Sequence, residues 1–206
     1  MILPTPAIEA AVNELSKLPG IGKKTALRMA IYLLKQPADR TEKLATSLQT
    51  MYANTKPCAT CFNVSESDLC TVCSQPNRLH QIVCVVEHFQ DIIAIENTRQ
   101  YRGVYHVLGG IISPVDGIGP DQLNIQALLQ RLQNQNIEEV ILALNSSIEG
   151  ETTMFYLHKK LENFKVKTSI ISRGIAFGSE LEFTDELTLG RSILNRVMFE
   201  SQLNHR

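Results

Sequence analysis

Apolar positions follow two different rhythms along this 206-residue chain, and the change comes near residue 80. Before it, Ile8, Ala11, Val12, Leu15 and Leu18 recur at helical spacing and predict a helix over 6–18. A Pro19-Gly20-Ile21-Gly22 turn follows. Ala26, Met29, Ala30 and Leu33 share one face of a second predicted helix over 23–35, and a third is expected over 39–52. Residues 57–78 are turn-rich. After residue 80, short apolar runs of buried-strand type predict strands over 82–86, 103–108, 139–144 and 166–171. Helices are expected between them, around 89–98, 124–134 and 151–163, and again in the tail from about 184. Residues 109–120 hold four glycines and two prolines and predict a long loop. Strands alternating with helices imply a mostly parallel sheet covered on both faces. The expected fold class is a multi-domain α/β chain.

Composition changes this picture little. Apolar residues are 44% and charged residues 20%, which excludes wholesale disorder. The longest apolar run is six residues, Met29 to Leu34, far short of the roughly 20 a membrane helix needs. The first residues lack the basic flank and apolar stretch of a secretory signal, so a cytoplasmic location and no membrane partner are expected. Charge adds more. The net charge is −1, but residues 1–57 hold eight basic and four acidic side chains, whereas 58–206 hold twelve and seventeen. That asymmetry favours an anionic ligand at the N-terminal end.

Cys58-x2-Cys61-x8-Cys70-x2-Cys73 is the strongest chemical signal. Each Cys-x2-Cys turn aims two thiolates at one point, and two such turns supply the four soft ligands of tetrahedral Zn²⁺. A pair of disulfides is the alternative, disfavoured in a cytosolic chain. A redox motif would need a Cys-x-x-Cys opening a helix behind a strand. Four thiolates leave no open position, so one structural Zn²⁺ per chain is expected. His80 reads as a surface histidine and Cys84 as an inert buried thiol.

Near the N-terminus, Leu18-Pro-Gly-Ile-Gly-Lys-Lys-Thr-Ala26 joins two predicted helices. Its glycines permit a tight turn with Ile21 as an apolar plug. The second helix then opens with free N–H groups and a positive dipole end, a seat for phosphate. Lys24 and Arg28, four apart, share a helix face, and Lys23 stands at the lip. The segment resembles a helix-hairpin-helix, which implies sequence-independent binding of DNA phosphates by Lys23, Lys24 and Arg28. Such hairpins also serve as packing or oligomer contacts. A Walker A loop would need glycine and a hydroxyl where the chain has Lys17 and Lys24.

Glu87 directly follows the first long strand, and Asn145-Ser-Ser-Ile-Glu149-Gly-Glu151 follows the 139–144 strand. In an open α/β sheet such residues gather at the carboxyl rim. The arrangement is similar to a Toprim domain, in which a Glu and an Asp-x-Asp hold Mg²⁺ for phosphoryl chemistry. Here Asn145 and Ser147 stand at the two Asp positions, and these bind Mg²⁺ far more weakly than carboxylates. Glu87, with Glu149 as second member, is expected to form an acidic docking face for a basic partner.

A glycine hairpin, a four-cysteine knuckle and a Toprim-like domain follow in that order. Tyr101-Arg-Gly-Val-Tyr-His-Val-Leu-Gly-Gly110, Ser113-Pro-Val-Asp-Gly-Ile-Gly-Pro120 and Gly178-Ser-Glu-Leu-Glu-Phe-Thr-Asp-Glu-Leu-Thr-Leu-Gly-Arg191 sharpen the pattern. Together they resemble RecR, the bacterial recombination-mediator family, over nearly the whole chain. The resemblance implies a non-enzymatic DNA-repair protein acting with RecO and, in many bacteria, RecF. Such proteins help load the recombinase RecA at single-stranded gaps. It further implies a ring-like homotetramer able to encircle DNA, a Toprim region in contact with RecO, and a Walker B-like segment over roughly 178–191. The corresponding domains are 1–56 (helix-hairpin-helix), 57–78 (zinc finger), 79–176 (Toprim) and 177–206 (C-terminal segment). Asn145-Ser146-Ser147 departs from the family in lacking a proline after the Asn. The alternatives are a Mg²⁺-dependent Toprim nuclease or primase-like enzyme, which Asn145 and Ser147 disfavour, and an ATP-using module, which lacks a phosphate loop.

Overall fold

The computed structural model describes residues 4–172, 174, 175, 178 and 180–196. The expected boundary at 176/177 and the tail beyond 196 lie partly or wholly outside them. The chain divides into two compact units, Met1–Thr55 and Lys56–Arg206.

The first unit is three helices: α1 (Pro6–Leu15), α2 (Lys23–Leu34) and α3 (Ala38–Asn54). Thr5 caps α1 by accepting the Ile8 N–H at 3.3 Å, with Pro6 in the first turn, where its missing N–H costs nothing. The helix stops at Leu15, three residues short of the expected end, where the Lys17 and Leu18 N–H groups turn back to the Glu14 and Leu15 carbonyls, three residues behind them rather than four. Among the described residues only Val12, Ala26 and Ala30 are buried here, with Ile8, Leu15, Ile21 and Leu27 packed around them. Met29, expected on the inner face, is exposed. Two alanines four apart let α1 approach α2 closely along that line, and the longer Met29 is left at its margin. α3 buries none of its residues: Leu44, Leu48, Met51 and Tyr52 all face outward.

The second unit opens with a two-stranded antiparallel knuckle, β1 (Lys56–Pro57) and β2 (Val64–Ser65). A sheet follows, made of β3 (Leu79–Val86), β4 (Gly103–Val107), β5 (Glu139–Ala143) and β6 (Lys167–Ile170), in the order β4-β3-β5-β6. All three pairings are parallel. The helices between and after the strands are α4 (Phe89–Asn97), α5 (Ile125–Asn134), α6 (Ile148–Leu161) and α7 (Glu186–Leu194). Val83, Val85, Val86, Val104, Leu108, Leu128, Val140 and Leu157 form the centre of the core. β4 is an edge strand, yet all five of its residues are buried. The knuckle covers its edge: the Val107 N–H donates to the Cys61 carbonyl at 2.8 Å. An edge strand closed in this way presents no free template for pairing with another chain.

Two elements differ from expectation for local reasons. β3 begins at Leu79 rather than 82, because the Leu79 N–H reaches the Arg102 carbonyl and pairing starts early. α6 begins at Ile148 rather than 151, because the Ser147 hydroxyl accepts the Gly150 N–H at 3.0 Å and caps the helix there.

Candidate nucleic-acid interface and metal centre

In the first unit, Gly20 has φ of +75°, the left-handed value that glycine adopts without strain, and it turns the chain between α1 and α2. Ile21 closes the turn, its N–H donating to the Leu18 carbonyl at 3.0 Å, and its side chain packs beside the small core. Gly22 is the N-cap of α2 and has no side chain to satisfy the first N–H groups, and no acidic residue stands in the first turn. Those N–H groups are therefore open to an anion. Lys23, Lys24 and Arg28 are exposed, and among the described residues none has an ion-pair partner, whereas Lys17 and Lys43 are engaged by Glu14 and Asp39. Lys24 and Arg28 lie on one face. Arg28 also borders an apolar groove formed with Leu15, Met29, Tyr32 and Leu44.

In the second unit, the knuckle brings the four cysteine sulfurs within 4.8 Å of one another. A tetrahedron with metal–sulfur bonds of about 2.3 Å has edges of about 3.8 Å, so the cluster fits a zinc-sized ion. Cys58, Cys61 and Cys70 are buried and Cys73 is half-buried. The Cys70 N–H points at the Cys58 sulfur at 3.3 Å and the Cys73 N–H at the Cys70 sulfur at 3.5 Å. Such donors orient thiolates and share their charge. The Cys61 and Cys70 sulfurs lie 3.5 Å apart, and this contact pulls the Cys70 thiol down and pushes Cys61 up. Phe62, with φ of 62°, turns the chain after Cys61 and sets its ring edge-on to His106, 5.5 Å between centroids.

At the carboxyl rim of the sheet, the register pairs Val86 with Ala143. Glu87 and Asn145 therefore emerge side by side, and the Asn145 amide donates to Glu87 Oε2 at 2.7 Å. His88 Nε2 lies 3.3 Å from the other carboxylate oxygen, and the Glu87 side chain is only 12% exposed. Glu87 is thus an internally engaged carboxylate rather than a freely solvated one. Glu149, in the first turn of α6, is half-buried nearby. Glu151 pairs with Arg191 of α7 at 2.8 Å. The Asn145 amide and the His88 ring thus stand against the two oxygens of Glu87. Among the described residues, the four cysteines are the one group of three or more His, Cys, Asp or Glu side chains arranged to hold a metal ion.

Comparison with known proteins follows the same division. Residues 8–52 match the helix-hairpin-helix of RecR, 55–75 its four-cysteine zinc-finger domain, 81–172 the Toprim domain and 174–197 the RecR C-terminal region. Over 198 residues the chain is 56% identical to the recombination protein RecR of Flavobacterium psychrophilum, covering 96% of each. The chain belongs to the RecR family. Similar RecR proteins include that of Amoebophilus asiaticus, 56% identical over 93% of this chain and 96% of the relative. That of Porphyromonas gingivalis is 50% identical over 97% of each.

Several structural residues of this RecR-family chain carry no signal in sequence. Thr153 accepts the Ile112 N–H at 2.9 Å and donates to the Glu149 carbonyl at 2.7 Å, tying the glycine loop to α6. Asn124 donates to the Val107 carbonyl at 3.0 Å, and its own carbonyl accepts from His106 Nε2 at 2.8 Å. Arg78 forks onto the Glu96 carboxylate, which also accepts from the Tyr105 hydroxyl at 2.6 Å. These partners, apart from Thr153 and Glu149 within one helix, lie 9 to 41 residues apart in the chain, beyond any local pattern. The Arg191–Glu151 pair is equally invisible in either segment alone, since it joins two helices with a strand between them.

Proposed function

We propose that this chain is a non-enzymatic DNA-binding mediator of recombinational repair that acts with RecO, and with RecF where present, to help load RecA at single-stranded gaps. The observation that carries the reading is the opening of α2. There, uncapped N–H groups stand with Lys23, Lys24 and Arg28, none of them ion-paired among the described residues. Such a cluster recognises phosphate and carries no base information, so binding is indifferent to sequence. Its relatives bear the name recombination protein RecR, which supports repair as the setting. The Asn145 amide on Glu87 supports an accessory role over Toprim metal catalysis.

The same reading assigns one structural zinc per chain to Cys58, Cys61, Cys70 and Cys73, and partner contact to Glu87 and Glu149. It includes a ring-like homotetramer, since three cationic contacts on one chain bind weakly and several chains multiply them. A cytoplasmic site of action follows from the repair role. No described helix is long and apolar enough to cross a membrane.

Charge reversal tests the proposal. Lys24→Glu with Arg28→Glu should abolish DNA binding while leaving the thermal unfolding midpoint in place. Lys159→Glu with Lys160→Glu, a basic pair on α6, is the control and should do less. Binding of the wild type should weaken with salt, each phosphate contact contributing about 0.7–0.9 to the log–log slope. A larger loss in the control pair would move DNA to the α/β unit and leave the hairpin as an assembly element.

A further inference from the structure

The loop between β4 and α5 carries an apolar tip on a firmly held turn. Ser113 and Ile118 pair across it, each N–H donating to the other's carbonyl, at 3.0 and 2.8 Å. The Gly117 N–H closes the turn onto the Pro114 carbonyl at 3.2 Å. The Ser113 hydroxyl donates to Asp116 Oδ2 at 2.6 Å and accepts the Asp116 N–H at 3.4 Å. Pro114 further restricts the backbone at the start of the tip. The base is anchored, with Ile112 and Ser113 buried and Ile118 packed on the core. Residues 114–117 are all exposed. Val115, at 94%, is the most exposed large apolar side chain among the described residues. Turns favour Gly, Asn, Asp or Ser at such places, whereas this valine keeps its whole side chain in water and gives the fold no packing.

Two attachments tie this loop to Glu87 and Glu149, the residues proposed as partner contacts. The Gly109 N–H donates to the Glu87 carbonyl at 2.9 Å. The Ile112 N–H donates to the Thr153 hydroxyl, which in turn donates to the Glu149 carbonyl. The loop thus leaves the carboxyl rim beside β3, the neighbour of β4 in the sheet. Its charge has one sign. Residues 107–130 contain no Lys, Arg or His and hold Asp116 and Asp121, both exposed. A tip that is apolar at its end and acidic at its sides complements a protein surface with an apolar cleft edged by Lys or Arg, and it repels a phosphate backbone. Because the turn is already formed, little ordering is left to offset on binding.

We propose that Val115 is the apolar anchor of the partner face, a preformed tip that enters an apolar cleft edged by basic side chains on the docking protein. This deepens, and rests on, the reading of Glu87 and Glu149 as partner contacts. The carboxylates and the valine act at different stages. Charge complementarity steers the encounter, so its loss shows mainly in the association rate and in the salt dependence. Val115 leaves water only in the docked complex, so its loss shows in the dissociation rate and is nearly indifferent to salt.

The test measures association and dissociation of RecO on the full-length chain by surface plasmon resonance at low and moderate salt. Wild type, Val115→Ala, Val115→Ile, Val115→Asp and Glu87→Ala are compared, with unfolding temperature, DNA affinity and molar mass taken for each. Val115→Ala, which removes the two methyl groups from the contact, should speed dissociation about tenfold at both salts. Val115→Asp should lose more, and Val115→Ile should keep most of the affinity. Unfolding temperature, DNA affinity and molar mass should match the wild type in all three, because the side chain lies outside the core. Wild-type RecO dissociation in Val115→Ala and Val115→Asp overturns the anchor, and a loss in Glu87→Ala alone then leaves the docking reading intact. A change in DNA affinity without RecO, or in molar mass, also overturns it, since the tip would then serve nucleic acid or a second copy of the chain. Faster dissociation in Val115→Ala beside an unaltered Glu87→Ala keeps the anchor and removes only that carboxylate. Failure of the wild type to bind RecO overturns both.

Discussion

Gly150 shows how one missing carbon sets the rim. An added Cβ would run into the Asn145 carbonyl oxygen, inside any permitted contact. The close approach is what lets the Ser147 hydroxyl cap α6 and places Asn145 against Glu87. Gly150→Ala should therefore destabilise the α/β unit by roughly 2–4 kcal/mol, read from urea unfolding, rather than give the small gain usual for alanine in a helix. His106 makes a different residue-scale prediction. Complete burial lowers its pKa to about 4, against an ordinary 6.5. As pH falls, the unfolded chain takes up this proton near 6.5 and the folded chain resists until about 4, so stability declines across that window. His106→Leu should flatten the dependence by up to about 1.4 kcal/mol per pH unit. Urea unfolding at pH 7, 6 and 5, with zinc content assayed at each pH, measures it; parallel slopes for the two proteins would exclude the histidine. Sequence shows that His106 sits in an apolar strand, and only the fold shows that its Nδ1 is buried without a hydrogen-bond partner among the described residues.

At the scale of elements, the parallel pairing of β3 with β5 decides what Glu87 can do. The run of apolar residues marks both strands, but their adjacency is a long-range fact. It sets an Asn145–Glu87 hydrogen bond, a Glu151–Arg191 pair and a half-buried Glu149 along the carboxyl rim. The proposed RecO contact predicts that Glu87→Ala weakens RecO binding measurably while leaving the proposed DNA binding nearly unchanged, checked by calorimetric titration in moderate salt. An unaltered partner affinity would remove Glu87 from the interface. The inner face of α2 is the other case. Helical spacing nominates Met29 with Ala26 and Ala30, yet the contact with α1 runs along the alanines and leaves Met29 outside. Periodicity gives a stripe some 100° wide, and the neighbouring helix selects the line within it.

At the scale of the whole chain, the cysteine knuckle is part of the α/β core rather than an appended module. Cys58, Cys61, Cys70 and Val72 share one buried cluster with Val83, Val104 and Leu128. Removing the proposed metal should therefore loosen more than residues 57–78. Chelation under reducing conditions, or Cys61→Ser, should raise hydrogen exchange at Val104 through Val107, the strand that the knuckle covers, and lower stability of the entire unit. Exchange confined to the knuckle itself would contradict this. The first unit, by contrast, has three buried side chains among its described residues and a third helix with none, so its stability as an isolated segment should be slight.

What the sequence determined by itself is local in origin. Cys-x2-Cys turns, the Gly20-Ile21-Gly22 hairpin, and the alternation of apolar strands with helices each depend on residues a few positions apart, and each is legible for that reason. The order of those segments also carries the family. Tertiary structure decided everything that joins distant residues: the strand order β4-β3-β5-β6, the knuckle laid on β4, Asn145 on Glu87, and Arg131 buried against β4 on a neutral acceptor. Those outcomes follow from which surfaces can exclude water together. A charge or an amide acquires its role only from what is packed opposite it, and linear spacing holds no record of that neighbour.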